Sequence, residues 1–267
     1  MTPGTGRLAV VGLGPGNDHQ RTPEASQRLA DATDLIGYEP YLNMVQPVLA
    51  HQTRHCFDNR QEAQRARLAL ELAAEGRDVV VVSSGDPGIF AMATAVIEEL
   101  HRGAGTALGE VAVTIIAGIT AASAAAAVLG APLGHDFCII SLSDVLKPWH
   151  VVERRLAAVA GADFVIALYN PISKHRPWQL GRGIDIIREH RLGTTPVALA
   201  RAVGRAAETV RIVTLAAFDP GDVDMSTVVI VGSSTTRQFV DAAGRSWMYT
   251  PRTYPATSGL EGIVEQL

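Results

Sequence analysis

Val79-Val80-Val81-Val82-Ser83-Ser84-Gly85-Asp86-Pro87-Gly88 decides the fold class of this chain. Four apolar β-branched residues in a row lack the alternation of a half-exposed strand. They fit a strand covered on both faces, as in a parallel sheet. The run stops at Gly85, Asp86, Pro87 and Gly88, all turn formers. Open α/β sheets bind ligands beyond the carboxyl ends of such strands. Four more segments sit at or beside the end of an apolar run: Gly12-Leu13-Gly14-Pro15-Gly16, Ala117-Gly118-Ile119-Thr120-Ala121, Leu168-Tyr169-Asn170-Pro171 and Thr227-Val228-Val229-Ile230-Val231-Gly232. Their loops are expected to converge.

The intervening sequence supplies the alternation. Residues 8–11 read as the first strand, and Thr22-Pro23 offers an N-cap with proline at the first helical position. Residues 34–37 form a second short strand. A helix over 62–75 carries Ala66, Leu70 and Ala73 on one face and stops at Gly76. Strands over 79–82, 111–116 and 137–140 complete a wound, mainly parallel sheet. A boundary is expected in 141–148. Beyond it come a helix (149–159), a strand (164–168), a helix (178–190) and strands over 196–200, 209–215 and 227–231. Their short polar connectors predict antiparallel pairing. The predicted architecture is therefore two α/β domains, 1–141 and 142–267. The first holds a parallel sheet, the second a mixed one, with an active-site cleft between them.

Bulk properties narrow the function. The 267 residues, 47% hydrophobic, can bury one large core or two modest ones. Cys56 and Cys138 provide neither a disulfide framework nor paired ligand spacing, and no metal is expected. No basic segment precedes a hydrophobic signal core, which predicts a cytoplasmic protein. Residues 121–132 are too few to span a bilayer, and a net charge of −4 argues against a general nucleic-acid binder.

Gly12-x-Gly14-x-Gly16 invites comparison with a dinucleotide fingerprint, yet its third glycine comes one residue early and Pro15 removes a backbone donor. No Gly-Lys-Ser/Thr follows, so it is not a Walker loop. Asp86 places a carboxylate where it would favour a cationic ligand, or caps a helix running from Ile89. Thr120 opens an alanine-rich helix, as an N-cap or beside a flat ligand. Asn170, before Pro171, is expected to be extended and to present its amide.

In this order the five segments resemble the tetrapyrrole methylase family, over roughly residues 8–232. Gly37-Tyr38-Glu39-Pro40-Tyr41 and Tyr169-Asn170-Pro171-Ile172-Ser173-Lys174-His175-Arg176 are similar to its precorrin-3B C-17 methyltransferase branch. The resemblance implies a homodimeric enzyme of cobalamin biosynthesis. It would use S-adenosylmethionine, releasing S-adenosylhomocysteine, to methylate a tetrapyrrole and contract its ring to precorrin-4. It implies cofactor contacts at Pro15, Gly85, Asp86, Ile89, Thr120, Ala121, Tyr169, Asn170, Ala202 and Val203. Proton transfers for ring contraction are assigned to Glu39, Tyr38 and His175, with Tyr41 and Asp86 as further participants. The acetate and propionate arms of the substrate call for cations: Lys174, Arg176 and Arg54 first, then Arg60, Arg65 and Arg182.

Asp86→Ala is predicted to weaken cofactor binding with the fold intact, and Arg176→Ala to affect only the tetrapyrrole. The competing readings are a cobalt-containing substrate (cobalt-factor III), methylation at C-11 or C-20, an NAD-dependent oxidoreductase with Gly12, Gly14 and Gly16 on the pyrophosphate, and a non-catalytic S-adenosylmethionine sensor.

Overall fold

In the computed structural model, which describes residues 6–254, the chain falls into two units. The first runs through Ala124 and includes Val203–Ala206; the second comprises Ala125–Ala202 and the chain from Ala207 onward.

The first unit is built on β1 (Arg7–Gly12), α1 (Pro23–Asp31), β2 (Asp34–Tyr38), α2 (Glu39–Leu42), β3 (Thr53–Phe57), α3 (Glu62–Ala74), β4 (Asp78–Ser83), α4 (Met92–Arg102) and β5 (Ala112–Ile116). Its strands are all parallel, in the order β3-β2-β4-β1-β5. The valine run explains itself here. Val79 and Val81 of β4, with Leu8 and Val10 of β1, pack under α3 and α4. Val80 and Val82, with Ala9 and Val11, pack against Leu29 of α1 and Leu42 of α2 on the other face. Both faces are covered, so neither strand needs polar residues. Thr22 caps α1 by accepting from Ala25 N at 3.1 Å, and Gly76, at φ +93°, ends α3.

The second unit continues with α5 (Ala121–Leu129, in which the division falls), β6 (Gly130–Ala131), β7 (Phe137–Ser141), α6 (Trp149–Gly161), β8 (Val165–Tyr169), α7 (Gln179–Arg188), β9 (Pro196–Arg201), β10 (Thr209–Thr214), β11 (Thr227–Val231), β12 (Arg237–Val240) and β13 (Ser246–Tyr249). Its main sheet has the order β10-β9-β11-β8-β7, mixed as expected, and β12-β13-β6 form a smaller one. β7 is parallel to β8; β8 and β9 each run antiparallel to β11, and β10 antiparallel to β9. Leu156 of α6 and Leu180 and Ile184 of α7 bury themselves with Ile166, Leu168 and Val229 of the sheet.

Two expectations about organisation are corrected. Residues 137–140 do not close the first sheet: they form β7, hydrogen-bonded along β8, so the division falls after Ala124 and not after Ser141. A short apolar run states that it is a strand but not which sheet it joins. The connector from β9 to β10 also does not stay with its strands, since Val203–Ala206 belongs to the first unit. β3 escaped the sequence reading because it is an edge strand of mixed polarity, Thr53-Arg54-His55-Cys56-Phe57. Among the described residues, no helix is long and apolar enough to cross a membrane.

Candidate functional site

The sheet order of the first unit puts the loops after β4, β1 and β5 side by side. They interlock through backbone. Gly14 N donates to Gly85 O at 3.1 Å and Gly85 N donates to Gly14 O at 2.8 Å, both glycines at φ +68°. A Cβ on Gly12 would lie 2.7 Å from Gly118 N, and one on Gly118 only 2.2 Å from Gly85 O. These glycines serve loop-to-loop contact, which is a stronger demand than a tight turn alone.

Asp86 fastens the same corner. Its Oδ1 accepts from Gly88 N at 2.7 Å and its Oδ2 from Gly118 N at 3.0 Å. It does not cap a helix from Ile89, because α4 begins at Met92 with Ala91 as its N-cap. Gly85 faces Thr120 Cα and Ala121 N at 3.8 and 3.9 Å from an ideal Cβ, so the structure brings Gly85, Thr120 and Ala121 together. Ile89 and Phe90 stand exposed beside them, Phe90 at φ +53°. Exposed backbone, apolar side chains and an anchored carboxylate suit a ligand with a flat apolar part and a cationic part. Pro15 is buried and Val203 half-buried in the same unit. The loop after β1 leads into a short 3-10 turn at Asp18–Gln20 and not into a helix, so it lacks the helix N-terminus that a pyrophosphate would need.

Behind this corner, β2 ends at Gly37 and Tyr38. A Cβ on Gly37 would lie 2.4 Å from Val82 Cγ2, so only glycine lets α2 follow directly. Tyr38 and Tyr41 meet edge to face with centroids 5.3 Å apart. Glu39, in the first turn of α2, is exposed, and its carboxylate makes no hydrogen bond or ion pair among the described residues. Burial pushes the Tyr41 phenol above its ordinary pKa; the Arg205 and Arg65 guanidiniums oppose that rise and Tyr38 adds to it. The Arg54 guanidinium donates to Leu42 O at 3.0 Å and to Val45 O, holding the chain after α2.

In the second unit, Tyr169 ends β8 and Asn170 follows at φ +52°, left-handed and not extended as expected. Asparagine tolerates that conformation better than most residues. Asn170 Nδ2 donates to Ser141 Oγ at 2.9 Å. Ser173 and Arg176 exchange backbone hydrogen bonds of 3.0 and 3.2 Å, which lifts Lys174 and His175 to an exposed turn. Arg176 itself is buried. It is 8% exposed and donates to Asn170 O at 2.8 Å and to Met225 Sδ at 3.5 Å. Arg176→Ala is therefore expected to lower stability by roughly 2 kcal/mol, near the range for hydrogen bonds to a charged group. Thermal melting checks the loss, and faster amide exchange over 169–176 would locate it. Ala202, at φ +49°, follows β9 at the same end of the sheet as Asn170. A non-glycine residue held there costs about 1–3 kcal/mol, and such strain gathers at functional sites. Arg205 and Arg65 are the cations that act on Tyr41, and sequence reasoning gave neither that role.

Residues 7–219 match the family Tetrapyrrole (Corrin/Porphyrin) Methylases. The precorrin-3B C(17)-methyltransferase of a Sinorhizobium species is 49% identical over 255 residues, covering 95% of this chain and 99% of that protein. The cobalamin biosynthesis protein CobIJ of Mycobacterium bovis is 51% identical over 256 residues, 94% of this chain and 49% of that protein. This chain thus spans about half the length of the mycobacterial relatives it matches. The crystal structure of the methyltransferase CobJ superposes with a TM-score of 0.85 at 48% identity, over 92% of this chain and 100% of that one.

Proposed function

The chain belongs to the tetrapyrrole methylases, S-adenosylmethionine-dependent C-methyltransferases, and from that premise we propose that it methylates C-17 of precorrin-3B in cobalamin biosynthesis. The product would be precorrin-4, formed with contraction of the ring. The observation that carries this reading is the 49% identity, along nearly the whole of both chains, to a relative of that name.

S-adenosylmethionine would supply a methyl group on a sulfonium. In our reading its contacts are Pro15, Gly85, Asp86, Ile89, Thr120, Ala121, Tyr169, Asn170, Ala202 and Val203. Methyl transfer to carbon is an in-line displacement that needs alignment and exclusion of water. The interlocked loops favour both, since a corner built of backbone contacts moves little. Lys174 and His175, exposed at their turn, suit the carboxylates of the macrocycle. Glu39 and Tyr38, with an uncommitted carboxylate and a phenol on one short segment, suit the proton transfers of ring contraction. We further take the protein to act as a cytoplasmic homodimer.

Incubation with methyl-labelled S-adenosylmethionine and either precorrin-3B or cobalt-factor III, followed by mass spectrometry, tests the reading. One added methyl on precorrin-3B is expected. Methylation of cobalt-factor III alone would move the assignment to the cobalt-containing substrate, and no methylation of either would defeat it. Calorimetry should show binding of S-adenosylhomocysteine and none of NAD.

A further inference from the structure

Val203–Ala206 belongs to the first unit although β9 and β10, on either side of it, belong to the second. Arg205 fastens this segment to the loops of the first unit. Its Nε donates to Pro15 O at 2.9 Å and its Nη2 to Ser84 Oγ at 3.1 Å, so one side chain ties together the loops after β1 and β4. The stem crosses Gly16 so closely that a Cβ there would lie 2.8 Å from Arg205 Cγ. Gly204 is constrained as well, since its Cβ would come within 3.0 Å of Pro15 Cγ. Gly16 thus makes room for the Arg205 side chain, and Gly204 lets the connector approach Pro15 and Gln20.

That guanidinium is only half used. Arg21, Arg28, Arg77, Arg191 and Arg201 all reach carboxylates. Arg205 is exposed, its two acceptors are neutral, and among the described residues it has no acidic partner. The edge made by Nη1 and the remaining hydrogen of Nη2 is a fork without a carboxylate.

We propose that Arg205 binds a ligand carboxylate at the glycine-loop corner, its guanidinium oriented in advance by Pro15 O and Ser84 Oγ. The proposal rests on the methyltransferase reading, in which both ligands carry carboxylates: the amino-acid end of the cofactor and the side arms of the macrocycle. Pre-orientation matters because a fixed fork loses less freedom on binding than a free side chain.

The test compares wild type with Arg205→Gln and Arg205→Lys. Calorimetry uses S-adenosylhomocysteine and 5′-methylthioadenosine, which keeps the adenosine but lacks the amino acid; steady-state kinetics use precorrin-3B. Arg205→Gln is expected to weaken one carboxylate ligand by about tenfold, as loss of a charge-assisted pair would. Arg205→Lys should restore part of it. Weaker S-adenosylhomocysteine with unchanged methylthioadenosine would identify the cofactor carboxylate. A raised KM for precorrin-3B, with both nucleosides unchanged, would identify the macrocycle. Equal losses for the two nucleosides would mean a purely structural clamp and overturn the proposal, as would no change in any ligand. A wild-type protein that binds neither S-adenosylhomocysteine nor precorrin-3B would instead refute the underlying reading, and the proposal with it.

Discussion

Gly118→Ala is expected to deform the glycine-loop corner and abolish cofactor binding, although it adds one methyl group. The new Cβ would stand 2.2 Å from Gly85 O and 3.0 Å from Gly12 C, all of them backbone atoms that no rotamer change can move. Relief requires the loop after β5 to withdraw, which breaks the bond from Gly118 N to Asp86 and strains the Gly14–Gly85 pair. Overpacking of this kind costs about 1–3 kcal/mol, and a clash against backbone belongs at the upper end. We expect a loss of roughly 3 kcal/mol on thermal melting, and no S-adenosylhomocysteine binding by calorimetry. Gly181→Ala is the control. Its Cβ would meet nothing nearer than Pro220 Cγ at 3.8 Å, and it lies within α7, where alanine is favoured by about 0.5–1 kcal/mol. A Gly118 variant that melts and binds like the Gly181 variant would show that the three loops are not held as tightly as these distances require.

The elements most legible in the sequence were those whose environment is uniform. β1 and β4 are covered on both faces, so their apolar runs carry no ambiguity, and Thr22-Pro23 marks the start of α1 chemically. The strand over 137–140 was visible but its partner was not, because pairing across a sheet depends on residues far along the chain. Charge was legible as composition and illegible as purpose. Arg54, Arg176 and Arg205 look alike in sequence, and all three direct guanidinium N–H groups at backbone carbonyls, while Arg205 also keeps its Nη1 edge open. Carbonyls in nearby turns are invisible to a reading that pairs cations only with acids. A usable signal for Arg205 was present in Val203-Gly204-Arg205, a glycine and a cation in a connector between two strands. The glycine motifs were legible as sites of close approach, but what approaches Gly12 and Gly118 first is another glycine loop.

Asp86→Ala tests how far the corner and the ligand are one object. The sequence reading had this change sparing the fold, since a loop carboxylate adds little to a core. The structure gives the carboxylate two backbone donors, Gly88 N and Gly118 N, the second on a different loop. Water can replace the bond at exposed Gly88; at half-buried Gly118 the amide loses a charged acceptor. The expected cost is about 1.5–3 kcal/mol in stability, and about tenfold to a hundredfold in S-adenosylhomocysteine affinity. Asp86→Asn should fall between, because its amide oxygen can serve one donor while its NH2 faces the other. The double variant with Gly118→Ala separates the two roles. Both changes break the same bond, so their stability losses should overlap and sum to less than the two single effects. Fully additive losses would show that Asp86 and Gly118 act independently. Asp86 would then matter to the ligand through its charge alone, and not through the loop that it holds.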